Sequence, residues 1–232
     1  MLLTSTLAEL RTRARRRADA VGNDFFPDAE VNDYINTGLG ELHDLLVSKQ
    51  EDYYVNTLSF SLVSGQSTYS FSSISLSSFY KLLAMDSKQG SDTFRVKRFD
   101  FPDRNRFQSD LAFHNSRGYS DYEYSIRGNS FEFIPNPSSA DVVTIYYVPR
   151  FEKLSEDSSS VSSEIMLNWE EYAVVSAAIK MREKEETSTT SLEKSLDRVT
   201  ARIEEAAKNR DSAEPFGITD ETTGTLNGYW SS

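Results

Sequence analysis

The chain has 232 residues, a formal charge of −11, no cysteine and two histidines, His43 and His114. The missing cysteines exclude disulfides and thiolate metal sites, and two histidines so far apart argue against a histidine metal site or acid–base pair. The acidic balance argues against general nucleic-acid binding, which depends on neutralising phosphates. Apolar residues make up 38% of the chain, low for a compact globule of this length, so an extended shape or packing completed by partners is expected. No long apolar run precedes the arginines near the start, and no window approaches the length that crosses a bilayer. A soluble protein made inside the cell, with no membrane partner, is expected.

A first helix is expected from a cap at Thr4 or Ser5 to about Ala20, with Leu7, Leu10, Ala14, Ala18 and Val21 on a thin apolar stripe. Arg11, Arg13, Arg15, Arg16 and Arg17 surround that stripe. They suit an anionic partner, a solvated face paired with the acidic helix that follows, or ion pairs between subunits. On so acidic a chain, ion pairs between subunits fit better than DNA. A second helix starts near Pro27 and Asp28, where proline has no N–H to lose and a carboxylate complements the helix dipole. Val31, Tyr34, Ile35, Leu39, Leu42, Leu45 and Leu46 recur in steps of three and four and define its core face. Gly38 and Gly40 lie inside this pattern. Each costs roughly 1 kcal/mol against alanine, which predicts a close helix neighbour. His43 lies beside the stripe and reads as structural.

The period then changes to two. Leu58, Phe60 and Leu62 alternate with Ser59, Ser61 and Val63, Ser64-Gly65-Gln66 turns the chain, and Tyr69 and Phe71 continue, which predicts a hairpin with one buried face. Residues 72–78 read as a serine-rich loop, 79–85 as a buried strand and 93–98 as a shorter strand after a turn at Gln89-Gly90. Residues 99–107 suggest a short helix or turn, and 108–120 a loop. Tyr122, Tyr124 and Ile126, the turn Gly128-Asn129, then Phe131 and Phe133 predict a second hairpin, ended by Pro135 and Pro137. Residues 142–148 (VVTIYYV) form the most β-prone run. The aromatic alternation reads as core and not as a stacking platform for single-stranded nucleic acid, because no basic residue is interleaved on the same face.

Residues 152–163 read as a polar linker or long loop. A third helix is expected over 165–185, with Trp169, Tyr172, Val175, Ala178 and Ile179 buried. A fourth is expected over 191–210, with Leu192, Leu196, Val199, Ile203 and Ala206 in near-perfect spacing and a capping box of Thr190 with Glu193. A short joint makes these two an antiparallel pair. Residues 211–232 lack helical period yet hold Phe216, Ile218, Leu226, Tyr229 and Trp230, too apolar for a purely solvating tail. The expected class is α+β. It comprises an antiparallel helical bundle of N- and C-terminal helix pairs (1–54 plus 164–210), a central β-rich insertion (55–150), a linker (151–163) and an extended C-terminal arm (211–232). No glycine-rich phosphate loop, G-x-S-x-G elbow or H-E-x-x-H motif is present. Glu170-Glu171 and Glu204-Glu205 are helix neighbours that point roughly 100° apart, a poor acid/nucleophile pair. Neither an enzyme nor a cofactor is expected.

Three pieces occur in a telling order: LRTRARRRAD with DFFPDAEVNDYINTGLGELHDLLVSKQEDYY near the start, YEYSIRGNSFEFIPNPSSADVVTIYYVPR in the middle, and WEEYAVVSAAIKMREKEE with ARIEEAAKNRD toward the end. Over about residues 4 to 215 the chain resembles the head-to-tail adaptor (connector) proteins of short-tailed bacteriophages. The resemblance implies a structural virion protein, made in the host cytoplasm and placed at the head–tail junction. It implies a homo-oligomeric, twelve-fold ring between the portal protein and the tail nozzle or hub, which retains packaged DNA and conducts it during ejection. The helices would build the ring wall, and the β insertion would face the tail or the neighbouring subunit. The C-terminal segment with Phe216, Ile218, Leu226, Tyr229 and Trp230 would grip the portal. No catalytic motif and no cofactor come with the family. Double-stranded DNA would pass the lumen without specific binding, since an acidic wall repels the duplex. A ring is a heterologous interface that closes. Arg13, Arg16 and Arg17 are candidates for one side of it, and Asp28, Glu30 and Asp33 for the other. The alternatives are a head- or tail-completion protein of another tier, a DNA-binding packaging factor, and a peptidoglycan hydrolase, which would need two carboxylates converging in a cleft.

Overall fold

The computed structural model describes residues 5–20, 25–49, 54–103, 120, 122–161 and 169–209. Among them are helices α1 (Leu7–Ala18), α2 (Asp28–Lys49), α3 (Glu170–Lys184) and α4 (Thr190–Asn209). The strands are β1 (Asn56–Ser61), β2 (Thr68–Ser70), β3 (Lys81–Gln89), β4 (Asp92–Arg95), β5 (Glu123–Arg127), β6 (Ser130–Ile134) and β7 (Val142–Val148), with one 3₁₀ turn at Phe101–Asp103. The class is α+β, and all strand pairs in the sheets are antiparallel.

Local chemistry sets the helix ends. The cap of α1 is Thr6, one residue beyond the expected Ser5. Its hydroxyl accepts from Glu9 N–H, and the Glu9 carboxylate accepts from Thr6 N–H at 2.8 Å. This reciprocal pair satisfies two donors that the first turn otherwise leaves open. The helix ends at Ala18, short of Ala20, because Asp19 turns left-handed at φ 62°. Pro27 precedes α2 and its carbonyl accepts from Glu30 and Val31 N–H. A Cβ at Gly38 would stand 2.9 Å from Ala173 Cα, so the close neighbour expected here is α3. Gly40 has no such contact, its nearest neighbour being a Phe151 ring carbon at 4.0 Å. Ala173 through Ala178 are all buried, because α1, α2 and α4 each pack on α3. The start expected for this helix near 165 lies outside the described residues. In α4 the helix begins at Thr190 itself, and the Thr189 hydroxyl meets the Glu193 carboxylate at 2.5 Å. Thr190 is thus the first helical residue and not the cap, and the contact at this end joins two side chains four apart, unlike the expected capping box of Thr190 with Glu193. Ala207, and not Ala206, lies in the core.

The strands form two sheets, β1-β7-β3-β4 and β2-β6-β5. The hairpin expected over 58–71 therefore does not form. Thr57↔Tyr146 and Ser61↔Val142 seat β1 on β7, while Tyr69↔Phe131 seats β2 on β6. The turn at Ser64-Gly65 exists, but Leu62 N–H donates to Asp141 and Gly65 N–H to Pro137, so the chain there leaves one sheet for the other. Alternation fixes which face is buried and leaves the neighbouring strand open. The β5–β6 hairpin forms as expected, with Gly128 at φ 54° in its turn. Strand β3 is shifted to later residues than the expected 79–85. Leu62, Tyr69, Phe71, Met85, Tyr122, Phe131, Phe133, Val143 and Ile145 bury one core between the sheets. The aromatic alternation is core: the Phe131 ring lies 5.0 Å from Phe71, and Tyr122 meets Phe133 edge-on at 5.6 Å.

A second core joins the four helices with Val148, Leu154 and Val161. Residues 152–161, expected as a polar linker, are tied down along the helices. Asn36 of α2 is buried and grips Leu154 twice: its amide donates to the Leu154 carbonyl at 3.0 Å, and its oxygen accepts Leu154 N–H at 2.8 Å. Leu7 N–H donates to the Ser159 carbonyl at 2.9 Å, and Thr6 pairs with Ser160 as an isolated bridge. The rest of that expected linker, 162–163, lies outside the described residues.

Candidate functional site

The α1 arginines divide by helix geometry. Leu7, Leu10, Ala14 and Ala18 face the core, and positions three and four apart share a side. Arg11 and Arg15 flank that stripe toward α2. Arg13 and Arg17 flank it toward α3. Arg16 points away with Glu9 and Thr12, all three exposed.

Each flank has its own carboxylates. Arg11 binds both Asp157 oxygens, at 2.8 and 3.1 Å, and stands 3.4 Å from Asp28 and 3.2 Å from the Asn32 side-chain oxygen. Hydrogen bonding from Arg11 holds the Asp157 carboxyl below the usual carboxylate range. Arg15 is buried, donates to the Phe26 carbonyl at 2.7 Å and pairs with Asp28 at 2.7 Å. On the other flank Arg13 donates to Glu171 at 2.9 Å and to Glu170 at 3.4 Å, and Arg17 pairs with Glu171. Glu170 is buried and also accepts the Ser5 hydroxyl and, at 3.4 Å, Ser5 N–H. Both glutamates sit in the first turn of α3, where its dipole favours negative charge. The adjacent carboxylates are thus bridged by one guanidinium, an arrangement that joins helices.

The acidic candidates on α2 fare similarly. Asp28 serves Arg11 and Arg15. Glu30 accepts Lys184 Nζ at 2.7 Å and the Tyr34 hydroxyl at 2.6 Å. Those two donors, Lys184 first, hold the Glu30 carboxyl low, and the hydrogen bond to Glu30, with burial, pushes the Tyr34 hydroxyl up to about 12. Asp33 is exposed and, among the described residues, has no ion pair. Arg16 likewise has none. Phe216, Ile218, Leu226, Tyr229 and Trp230 lie outside the described residues.

Where the helices meet the sheets, His43 is 4% exposed, as a structural histidine should be. Its Nε2 lies 3.1 Å from the Pro149 carbonyl, and its ring lies against Tyr54, Tyr80 and Phe151. A cleft of about 240 Å³ opens beside it, lined also by Asn56, Arg150 and Glu152. Bonding to Asp44 raises the Tyr80 hydroxyl above its ordinary value. Sequence reasoning missed Asn36, whose signal was an amide set beside Ile35 on the apolar stripe. It also missed the division of the arginines, which spacing along the helix already contained.

Charges matched this way, carboxylate by guanidinium across element boundaries, hold the chain's own parts in register. The model of the SU10 adaptor protein family matches residues 5–216, and the chain belongs to that family of structural phage adaptors. The match shows the resemblance to phage head-to-tail adaptors read from the sequence. A comparison with proteins of curated description found no match to the chain.

Proposed function

We propose that this chain forms a twelve-fold ring at the head–tail junction of the virion, one copy for each portal subunit, between the portal and the tail nozzle or hub. The family match over nearly the whole chain carries this reading. A helical bundle of α1 to α4 would make the ring wall and the two sheets would project from it. The ring would retain packaged DNA and conduct it during ejection. The charge of −11 suits a conduit, since a repulsive wall lets the duplex slide. Arg13, Arg17, Asp28 and Glu30 already have partners within the chain, so the charges proposed to act across subunits are chiefly Arg16 and Asp33. The arm with Phe216, Ile218, Leu226, Tyr229 and Trp230 is proposed to grip the portal.

The test is the number of copies per purified particle, measured against the portal by quantitative mass spectrometry. One copy per portal subunit is expected, and deletion of residues 215–232 should leave the folded chain out of the particle. A wild-type chain absent from particles would overturn the adaptor reading. A truncated chain retained at full copy number would overturn the role of the arm alone.

A further inference from the structure

Helix α4 packs chiefly on α3, with a smaller contact on α2, and its outer face carries charges sorted by sign. Glu193, Asp197, Ala201 and Glu205 form one exposed row at spacings of four. Lys194, Arg198, Arg202 and Ala206 form the next row, also exposed. A helix that faces only water is stabilised by opposite charges at this spacing and destabilised by like ones. Here the like charges stack: Glu193 on Asp197, Lys194 on Arg198, and Arg198 on Arg202. Lys194, Asp197, Arg198 and Glu205 make no hydrogen bond or ion pair among the described residues. Arg202 lies over the Trp169 ring at 5.6 Å, and Glu193 meets only the Thr189 hydroxyl. Lys194 with Asp197 and Arg202 with Glu205, three apart, set opposite signs side by side, but along each row the charges are alike, which suits a charged neighbour.

A complement stands elsewhere on the same chain. α1 and α4 each pack on α3 without substantial contact between them. On α1, Arg16 faces outward without a partner among the described residues, flanked by the half-exposed Arg17. Glu9, two turns earlier on that face, already closes the cap at Thr6. We propose that the outer face of α1 in one copy meets α4 of the next, with Arg16 seated against the acidic row at Glu193 and Asp197. The contact is heterologous, as a closed ring requires, and it rests on the adaptor reading. The adjoining basic row sets the register, because a shift by one row would place Arg16 against Lys194 and Arg198. Exposed Ala201, in the middle of the acidic row, lets the neighbouring helix approach.

The test is a charge swap in the full chain, supplied in trans to phage lacking it and read as copies per portal subunit. Arg16→Glu alone and Asp197→Arg alone should each lower incorporation about ten-fold, through like-charge juxtaposition. The two together should restore it to near the wild-type level. Neither residue has an intrachain hydrogen bond or ion pair among those described, so each purified variant should still fold cooperatively, its thermal unfolding shifted only by the small helix-dipole and i,i+4 charge effects, which separates assembly from folding. Wild-type incorporation by either single variant, or no recovery in the double variant, overturns the contact. Absence of the wild-type chain from the particle would instead overturn the adaptor reading on which it rests.

Discussion

The Cβ that Gly38 lacks would fall 2.9 Å from Ala173 Cα and 3.1 Å from its carbonyl oxygen. Both are backbone atoms, which cannot rotate aside. Gly38→Ala must therefore push α2 away from α3, and overpacking of this kind costs about 1–3 kcal/mol. Gly40 is two residues away in the same helix, with its nearest foreign atom at 4.0 Å. There alanine meets no obstacle, and its better helix propensity should stabilise by up to about 1 kcal/mol. Urea unfolding of the two variants should move in opposite directions. Equal shifts would mean that the α2–α3 approach is looser than these distances. The same residue scale explains why Arg15 is buried. Its guanidinium reaches the Phe26 carbonyl and Asp28 together, so removing it would leave the Phe26 carbonyl without this donor and Asp28 with Arg11 alone.

Elements meet through a few polar grips, and Asn36 makes a buried, two-bonded one. It satisfies both backbone groups of Leu154 in a buried position, so Asn36→Leu would leave a donor and an acceptor unpaired. The expected loss is about 2–4 kcal/mol by denaturant unfolding, with faster hydrogen exchange at Leu154 and at Leu7, which bonds to the same segment. A variant as stable as the parent would show that residues 152–161 are not held by this grip. This grip marks the limit of what the sequence could tell. The helices were legible because Val31 to Leu46 and Leu192 to Ile203 repeat over several turns. The β5–β6 hairpin was legible because its two strands are joined by a two-residue turn. The partner of β1 was not, because Ser59 meets Thr144, 85 residues later, and no local period encodes so distant a choice. The arginines were legible as a patch. Their separate partners depended on where Asp157 and Glu170–Glu171 come to lie, which only the folded chain decides.

At the scale of the molecule, ion pairs knit the helical core, and this gives stability a definite pH dependence. Lys184 closes α3 onto α2 through Glu30, and Arg11 closes residues 152–161 onto α1 through Asp157. Both carboxyls are held below their ordinary values, by Lys184 and then Tyr34 in the first case and by Arg11 in the second. A lowered folded pKa means that the unfolded chain binds protons first as acid is added. The stabilisation is therefore full at neutral pH and is lost as pH falls from about 5 through the lowered folded values. Solvent screening keeps each contribution modest. Tyr34 acts in the opposite limb: its hydroxyl, raised to about 12 by Glu30, contributes below its ordinary value and loses that contribution as pH rises through about 12. Thermal unfolding followed from about pH 7 to about pH 3 should show Glu30→Gln and Asp157→Asn less stable than the parent at neutral pH and converging with it in acid. Curves that stay parallel would show that neither pair distinguishes the folded from the unfolded chain. Added salt should narrow the neutral-pH gap as well, since both pairs are partly open to solvent. The buried Asn36 grip carries no net charge and should be almost indifferent to it. Comparing Asn36→Leu with Asp157→Asn across salt therefore separates the two ways residues 152–161 are fastened.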